Sequence, residues 1–397
     1  MRDKARIKHL KDADRAYIWH PFTQMFDYGS EEPLIIESGD GCHLTDIEGN
    51  RYLDGVSSLW VTIHGHRKEK IDSAIKEQID QISHSTLLGL SNVPAIELAE
   101  KLISVVPKGL TKVFYSDNGS TAVEVAIKMA YQYWQQVKGQ LPFDPKKKTK
   151  FISLVNAYHG DTIGSVSVGG IDLFHKTFHP LLFDKFSITA PYCYRCHLNL
   201  SFPSCGISCL DEAKNLFEER CDQIAGLVVE PLVQGAAGML TFPPGYLSGL
   251  ADLVKRHHVL LIADEVATGF GRTGTMFACE QEEIHPDLLC LAKGITGGYL
   301  PLAATITTDG VYSAFLGDYS EQKTFFHGHT YTGNPLACRA ALASIELFEE
   351  EKILNSLAKK IKLLSGGLNR FSELSSVGDI RQKGFMAGIE LVACKKT

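Results

Sequence analysis

No stretch of the 397-residue sequence is apolar for long enough to cross a bilayer. Runs such as 259–263 and 288–292 fall far short of the roughly 18–20 residues that a helical span needs. An excess of positive charge is also missing. Lys plus Arg total 40 against 46 Asp plus Glu, a formal net charge of −6, so the electrostatic footprint of a nucleic-acid binder is absent. The opening residues MRDKARIKHLKDADRAY mix both charges and contain no apolar core segment, which excludes a secretory signal there. A cytoplasmic chain is expected, and its ten Cys are then expected as reduced thiols rather than a disulfide framework. No internal repeat is present. The basic cluster Lys146, Lys147, Lys148 and Lys150, following Pro142 and Pro145, reads as a solvated loop.

What is present is an alternation of strand-like and helix-like segments, the pattern of an α/β fold with a mainly parallel sheet. Three apolar runs each end in a residue that a strand interior would reject: 225–229 runs into Glu230, 259–263 into Asp264 and 288–292 into Lys293. Short, unalternating runs suit strands buried on both faces. Ligands of open α/β sheets bind beyond the carboxyl ends of the strands, so the three polar residues are expected to converge. For Glu230 by itself a coincidental strand end is the simpler reading. Residues 34–36, 42–45 and 51–53, separated by Gly39, Gly41 and Gly49-Asn50, read as a small antiparallel meander. Helices are expected over 340–351 and 353–371, then strands at 378–380 and 387–392. The two ends form a smaller α/β domain (1–56 and 341–397) flanking a large domain (57–340).

Ser116-Asp117-Asn118-Gly119-Ser120 precedes a segment, 121–134, whose Val123, Ile127, Ala130, Tyr131 and Trp134 recur at helical spacing. Gly119 lets the backbone approach a ligand closely, and Ser120 with the free N–H groups of the helix start can hold an anion. An ordinary helix cap accounts for the same residues. No G-x-G-x-x-G opens a helix after a strand, which removes a dinucleotide reading.

Lys293 at a strand end is costly unless paired or reactive; with its pKa lowered by burial it can form a Schiff base with an aldehyde. Asp264 supplies a carboxylate that keeps a pyridine nitrogen protonated, turning the ring into an electron sink. Tyr158 follows the strand-like stretch 151–155 and can stack on a flat ring. Anion cradle, aromatic, carboxylate and lysine together describe a site for pyridoxal 5′-phosphate.

The segment Leu261-Ile262-Ala263-Asp264-Glu265-Val266-Ala267-Thr268-Gly269-Phe270-Gly271-Arg272-Thr273-Gly274, followed by Lys293-Gly294, resembles the signature of the class III aminotransferases. Trp19-His20-Pro21-Phe22-Thr23-Gln24 resembles the subgroup that acts on 8-amino-7-oxononanoate in biotin synthesis. Asp54-Gly55-Val56-Ser57-Ser58-Leu59-Trp60, Tyr158-His159-Gly160-Asp161-Thr162 and His327-Gly328-His329-Thr330-Tyr331-Thr332-Gly333-Asn334-Pro335 extend the likeness over essentially the whole chain. The resemblance implies a fold-type-I pyridoxal-phosphate enzyme, a homodimer with active sites at its interface. It implies that Lys293 binds the cofactor covalently and moves protons, that Asp264 pairs with the ring nitrogen, that Tyr158 stacks on the ring, and that Gly119 and Ser120 hold the phosphate. Thr330 would reach the phosphate of the partner subunit's site. Trp60 and Gly328, with Tyr158 and Lys293, would contact substrate. The implied reaction is ping-pong transfer of an amino group from S-adenosylmethionine to 8-amino-7-oxononanoate, giving 7,8-diaminononanoate.

Three departures bear on that. Phe22 stands where Tyr is usual and lacks its hydroxyl, which opens lysine as an alternative donor. Leu59 precedes Trp60 where many relatives carry two Trp. Relatives also run on past the last residue here, and the Arg that grips the substrate carboxylate lies in that part; a chain without it is expected to bind cofactor yet turn over poorly. A related ω-amino acid or diamine aminotransferase shares Lys293 and Asp264, and the Trp19–Gln24 motif counts against it; an isomerase of the same fold, moving an amino group within one molecule, is a second alternative. Finally, Cys193-x2-Cys196 and Cys205-x3-Cys209, with His197 adjacent, are spaced like zinc ligands; thiols that merely pack in a surface insertion explain them as well, and no metal ligand is assigned.

Overall fold

In the computed structural model, residues 3–138 and 141–395 are described. Three strands near the amino terminus, β1 (Ile36–Asp40), β2 (His43–Asp46) and β3 (Arg51–Leu53), form the expected antiparallel meander. The first strand lies later than 34–36. Gly39 continues the strand instead of ending it, because the His66 ring packs where a Cβ would stand, 2.8 Å away.

The large sheet is built from β4 (Leu110–Ser116), β5 (Lys150–Leu154), β6 (Phe186–Ile188) and β7 (Ile224–Val229), then, after the two-residue strands β8 (Val233–Gln234) and β9 (Leu240–Thr241), from β10 (Leu260–Asp264), β11 (Leu288–Leu291) and β12 (Ala303–Thr308). Its order is β4-β12-β11-β10-β7-β5-β6. The pairs from β11 to β6 are all parallel, and β12 alone runs antiparallel to its neighbours. This is the α/β architecture expected.

Alternate residues of the central strands feed different cores. Leu227, Val229, Leu261, Ala263, Leu289 and Leu291 pack on one face. Ala225, Val228, Ile262, Leu288 and Cys290 pack on the other, against Val123, Ile127 and Trp134 of the helix Gly119–Gln136. Burial on both faces explains why these strands read as unbroken apolar runs. Each such Leu or Ile removed from water contributes about 1.5–3 kcal/mol.

The carboxyl-terminal part contains the helices Pro335–Glu350 and Ile353–Asn369, then β13 (Val377–Lys383) and β14 (Met386–Leu391) as an antiparallel hairpin. The hairpin and the amino-terminal meander are separate sheets. At the hairpin tip Gly384 has φ +63° and packs against the backbone of Arg272 and Thr273, and the Phe385 N–H donates to the Arg272 carbonyl at 2.9 Å.

The lysine cluster departs from expectation. Lys146 and Lys147 are exposed, but Lys148 is buried. Its Nζ lies 4.9 Å from the Trp134 ring and 4.8 Å from the Phe143 ring and donates to the carbonyls of Cys221 and Ile224 at 2.6 and 3.2 Å. Aromatic faces and carbonyls replace its water. Among the described residues no helix is long and apolar enough to cross a membrane.

Candidate active site

The polar residues that end the central strands meet at one cavity of about 730 Å³, lined by Glu230, Asp264 and Lys293 together with Trp60, Gly119, Ser120, Tyr158 and Val266. Topology brings them there: Asp264 is the last residue of β10, Glu230 follows β7, and Lys293 lies two residues past β11. All three emerge from the carboxyl edge of parallel strands, where such sheets bind ligands.

Asp264 is held from two sides. Its Oδ2 accepts from His159 Nδ1 at 2.7 Å and its Oδ1 from the Val266 N–H at 3.1 Å. The carboxylate acceptor places the hydrogen on Nδ1. His159 Nε2 is buried and has no partner among the described residues. Glu265, one residue on, points away from the cavity and caps a turn through the Ala278 and Cys279 N–H groups.

Glu230 is buried, and its two oxygens accept from the N–H groups of Tyr158 (3.2 Å) and Gly235 (2.9 Å). Burial pushes its carboxyl up to about 7; Asp264 adds to the rise, and His159 and the two N–H donors oppose it. Glu230 lines the same cavity as Asp264 and Lys293, which counts against a coincidental strand end. Burial pushes the Lys293 ammonium down, Asp264 and Glu230 oppose that, and Arg272 reinforces it. A depressed ammonium pKa is what a nucleophilic lysine needs.

Ser120 belongs to the first turn of the helix Gly119–Gln136. Asn118 caps that helix reciprocally with Thr121, accepting its N–H at 3.1 Å, so the cap does not engage the Ser120 side chain. The amides of Gly119 and Ser120 lie in the first turn, where a helix supplies no carbonyl for them. A Cβ on Gly119 would stand 2.5 Å from Val266 Cγ1, so only glycine leaves the backbone bare there. Ser120 Oγ pairs with Thr162 Oγ1 at 2.8 Å. Tyr158 Oη donates to Asp161 at 2.7 Å, and burial, then that bond, raise its phenol pKa.

Trp60 closes one wall. Its indole packs on Gly235, where a Cβ would meet the ring at 3.2 Å, and lies 4.5 Å below Lys293 Nζ. It ends a run of four non-glycine residues at positive φ: Ser57 52°, Ser58 47°, Leu59 67° and Trp60 69°. Left-handed backbone costs roughly 1–2 kcal/mol per residue. Such a run persists only where its surroundings impose it.

Two of the expected site residues, Gly328 and Thr330, do not line this cavity. His159, Val266 and Arg272 were given no role from the sequence. Val266 lies in the turn after β10, beyond the reach of strand periodicity. The thiols of Cys193, Cys196, Cys205 and Cys209 line a separate space of about 20 Å³, and among the described residues no three His, Cys, Asp or Glu group as metal ligands.

Known proteins resemble this chain over nearly its whole length. The family model of the class-III aminotransferases matches residues 26–397. The adenosylmethionine-8-amino-7-oxononanoate aminotransferase of Nitratidesulfovibrio vulgaris is 56% identical over 393 residues, 99% of this chain and 72% of the relative. The one from Geobacter sulfurreducens is 55% identical, covering 98% and 84%. The crystal structure of the Methanocaldococcus jannaschii adenosylmethionine-8-amino-7-oxononanoate aminotransferase superposes with a TM-score of 0.92 at 50% identity, covering 98% of this chain and 85% of that one. An (S)-enantioselective ω-transaminase from Thermomicrobium roseum superposes at 0.91 with 35% identity and the same coverage. With its lysine, carboxylates and bare helix start gathered at the strand ends, and a family match spanning nearly its whole length, the chain belongs to the class-III aminotransferases.

Proposed function

We propose that this aminotransferase moves an amino group from S-adenosylmethionine to the keto carbon of 8-amino-7-oxononanoate, the diamine-forming step of biotin synthesis, with pyridoxal 5′-phosphate as its cofactor. The observation that carries the reading is the convergence of Lys293, the Asp264–His159 pair and the bare amides of Gly119 and Ser120 on one cavity. The names of the relatives and the Trp19–Gln24 motif support the substrates.

The residues fit the cofactor. Gly119 and Ser120 offer an anion the N–H groups of a helix start, with no Cβ on Gly119. Asp264, with both oxygens already oriented, is set to hold a proton on a ring nitrogen. Bound there, pyridoxal phosphate supplies an aldehyde for capture of amines and a ring that accepts electrons. Lys293 is the covalent anchor, and its Nζ takes the proton from the amine-bearing carbon of the donor and later delivers one to the acceptor carbon. Tyr158, fixed through its N–H by Glu230 and through its hydroxyl by Asp161, walls the ring. Trp60 excludes water beside Lys293.

Thr330 and Gly328 serve the partner subunit's cavity in a homodimer. Their absence from the cavity of their own chain supports this. The ends, 1–56 and 341–397, act as one small domain beside the large domain 57–340, in a cytoplasmic enzyme. Phe22 packs edge-on against Phe174, with ring centroids 5.3 Å apart, and Phe174 against Tyr158, so the aromatic wall survives without the usual hydroxyl.

The test is the donor half-reaction. S-adenosylmethionine is added to cofactor-loaded protein without acceptor, and the visible band is followed. Conversion to the amine form of the cofactor is expected. A band that moves with lysine and not with S-adenosylmethionine would reassign the donor, and one that moves with neither would sink the reading.

A further inference from the structure

The left-handed run Ser57–Trp60 has a visible restraint, and it lies outside the cavity. The Asp54 side chain is buried and accepts from both the N–H and the hydroxyl of Ser58, each at 2.8 Å. His66 Nε2 meets the same carboxylate at 2.9 Å. Burial pushes the Asp54 carboxyl up, but the Ser58 and His66 bonds outweigh it and hold it below its ordinary value. His66 is itself tied to the meander, its backbone exchanging hydrogen bonds with Gly41 at 2.8 and 3.1 Å and its ring packed against Gly39. At the other end of the run, the Arg272 guanidinium donates to the Trp60 carbonyl at 3.1 Å. Inside the run Leu59 is 67% exposed, so no apolar packing compensates its unfavourable φ.

We propose that Asp54 is a positioning residue of the active site: clamped by His66, it holds Ser57–Trp60 in the left-handed turn and so sets the Trp60 indole over Lys293. A relaxed, right-handed backbone from Ser57 onward would direct the chain elsewhere and lift the indole off Gly235 and Lys293. The wall it leaves is apolar, so the loss falls on the part of a substrate that carries methylene groups. Asp54 would thus govern binding of a long-chain acceptor through Trp60, without touching it. The proposal rests on reading the cavity as the aminotransferase site.

The test compares wild type with Asp54→Ala, Asp54→Asn and Asp54→Ala/Leu59→Gly as cofactor-loaded enzymes. Two quantities are read: the near-ultraviolet circular dichroism of the indoles, calibrated by Trp60→Phe, and KM against kcat for 8-amino-7-oxononanoate. In Asp54→Ala the Trp60 contribution to the dichroism is lost, and the acceptor KM rises about tenfold or more with a smaller change in kcat. Asp54→Asn, which keeps one acceptor oxygen for the Ser58 N–H, falls between. Leu59→Gly restores part of both, because glycine takes the left-handed conformation without strain. Wild-type dichroism and KM in both single variants overturn the proposal, as they do in Asp54→Asn alone should Asp54→Ala not fold. The dichroism needs no substrate. A wild-type enzyme that ignores this acceptor would therefore count against the substrate assignment and leave the turn to be judged on its own signal.

Discussion

His159 Nδ1 and Asp264 Oδ2 lie 2.7 Å apart with both side chains out of solvent, which makes the imidazole the support that aims the site's central carboxylate. Removing it costs one hydrogen bond to a charged group, about 1.5–3 kcal/mol. His159→Ala is expected to weaken cofactor binding and lower kcat by roughly 10- to 100-fold each. Equilibrium dialysis of the cofactor with steady-state rates checks this. Unchanged values for both would mean that Asp264 is held by its backbone bond alone.

Lys293→Ala should abolish covalent capture. Borohydride reduction of cofactor-loaded wild type adds one stable phosphopyridoxyl mass to the peptide carrying Lys293, and the variant shows none. Turnover falls by at least about four orders of magnitude, since anchor and proton carrier disappear together. An adduct on another lysine would move the anchor elsewhere.

Glu230 ties stability to pH. Its carboxyl titrates at about 7 in the fold, against an ordinary 4.5. Below the lower value both states hold the proton and no penalty exists. Between the two, the unfolded chain gives up the proton while the fold keeps it, so stability falls as pH rises. Above about 7 the penalty is complete, on the order of 3 kcal/mol. Glu230→Gln should flatten the pH dependence of denaturant midpoints between pH 5 and 7.5. A slope identical to wild type would place the titration on another group.

Lys148 separates fold from chemistry. Lys148→Ala removes the ammonium bonds to the Cys221 and Ile224 carbonyls, the former keeping only the Ile224 N–H, and opens space between Trp134 and Phe143, a loss of about 2–4 kcal/mol. Urea midpoints should drop while kcat at low temperature stays near wild type. A selective loss of kcat would tie this buried ammonium to the site.

Thr330 can be assigned to its cavity by mixing defects. In the proposed homodimer, coexpressed Lys293→Ala and Thr330→Ala chains are expected to form heterodimers in which, if Thr330 serves the partner subunit, one site is intact and the other carries both defects. Activity per heterodimer is then expected well above that of either homodimer. If instead each chain completes its own site, the heterodimer never exceeds the Thr330→Ala level.

Much of this was readable from the sequence. The apolar runs that end at Glu230, Asp264 and Lys293 announce themselves because double burial suppresses alternation, and the position of ligand sites in such sheets does the rest. Residues whose role depends on direction were not readable. His159 carries no local sign that its ring turns toward Asp264. Asp54 stands beside a glycine, like any turn residue, and nothing in Ser57-Ser58-Leu59-Trp60 announces positive φ, since none of the four favours it. The burial of Lys148 is not legible because a lysine cluster ordinarily seeks water, and the aromatic pair that receives its charge comes from separate segments.

The sheet order has a consequence for how the enzyme is made. Strand β4, which leads into Gly119 and Ser120, joins the sheet only by pairing with β12, from Ser116 against Ala303 to Leu110 against Thr308. Closing so distant a pairing is slow, and it comes late on a chain synthesised from its amino terminus. A ribosome-bound chain that stops short of Ala303 has its lysine and its carboxylates, but β4 still lacks its partner strand. Completion of the large sheet therefore waits on β12, the strand threaded between β4 and β11.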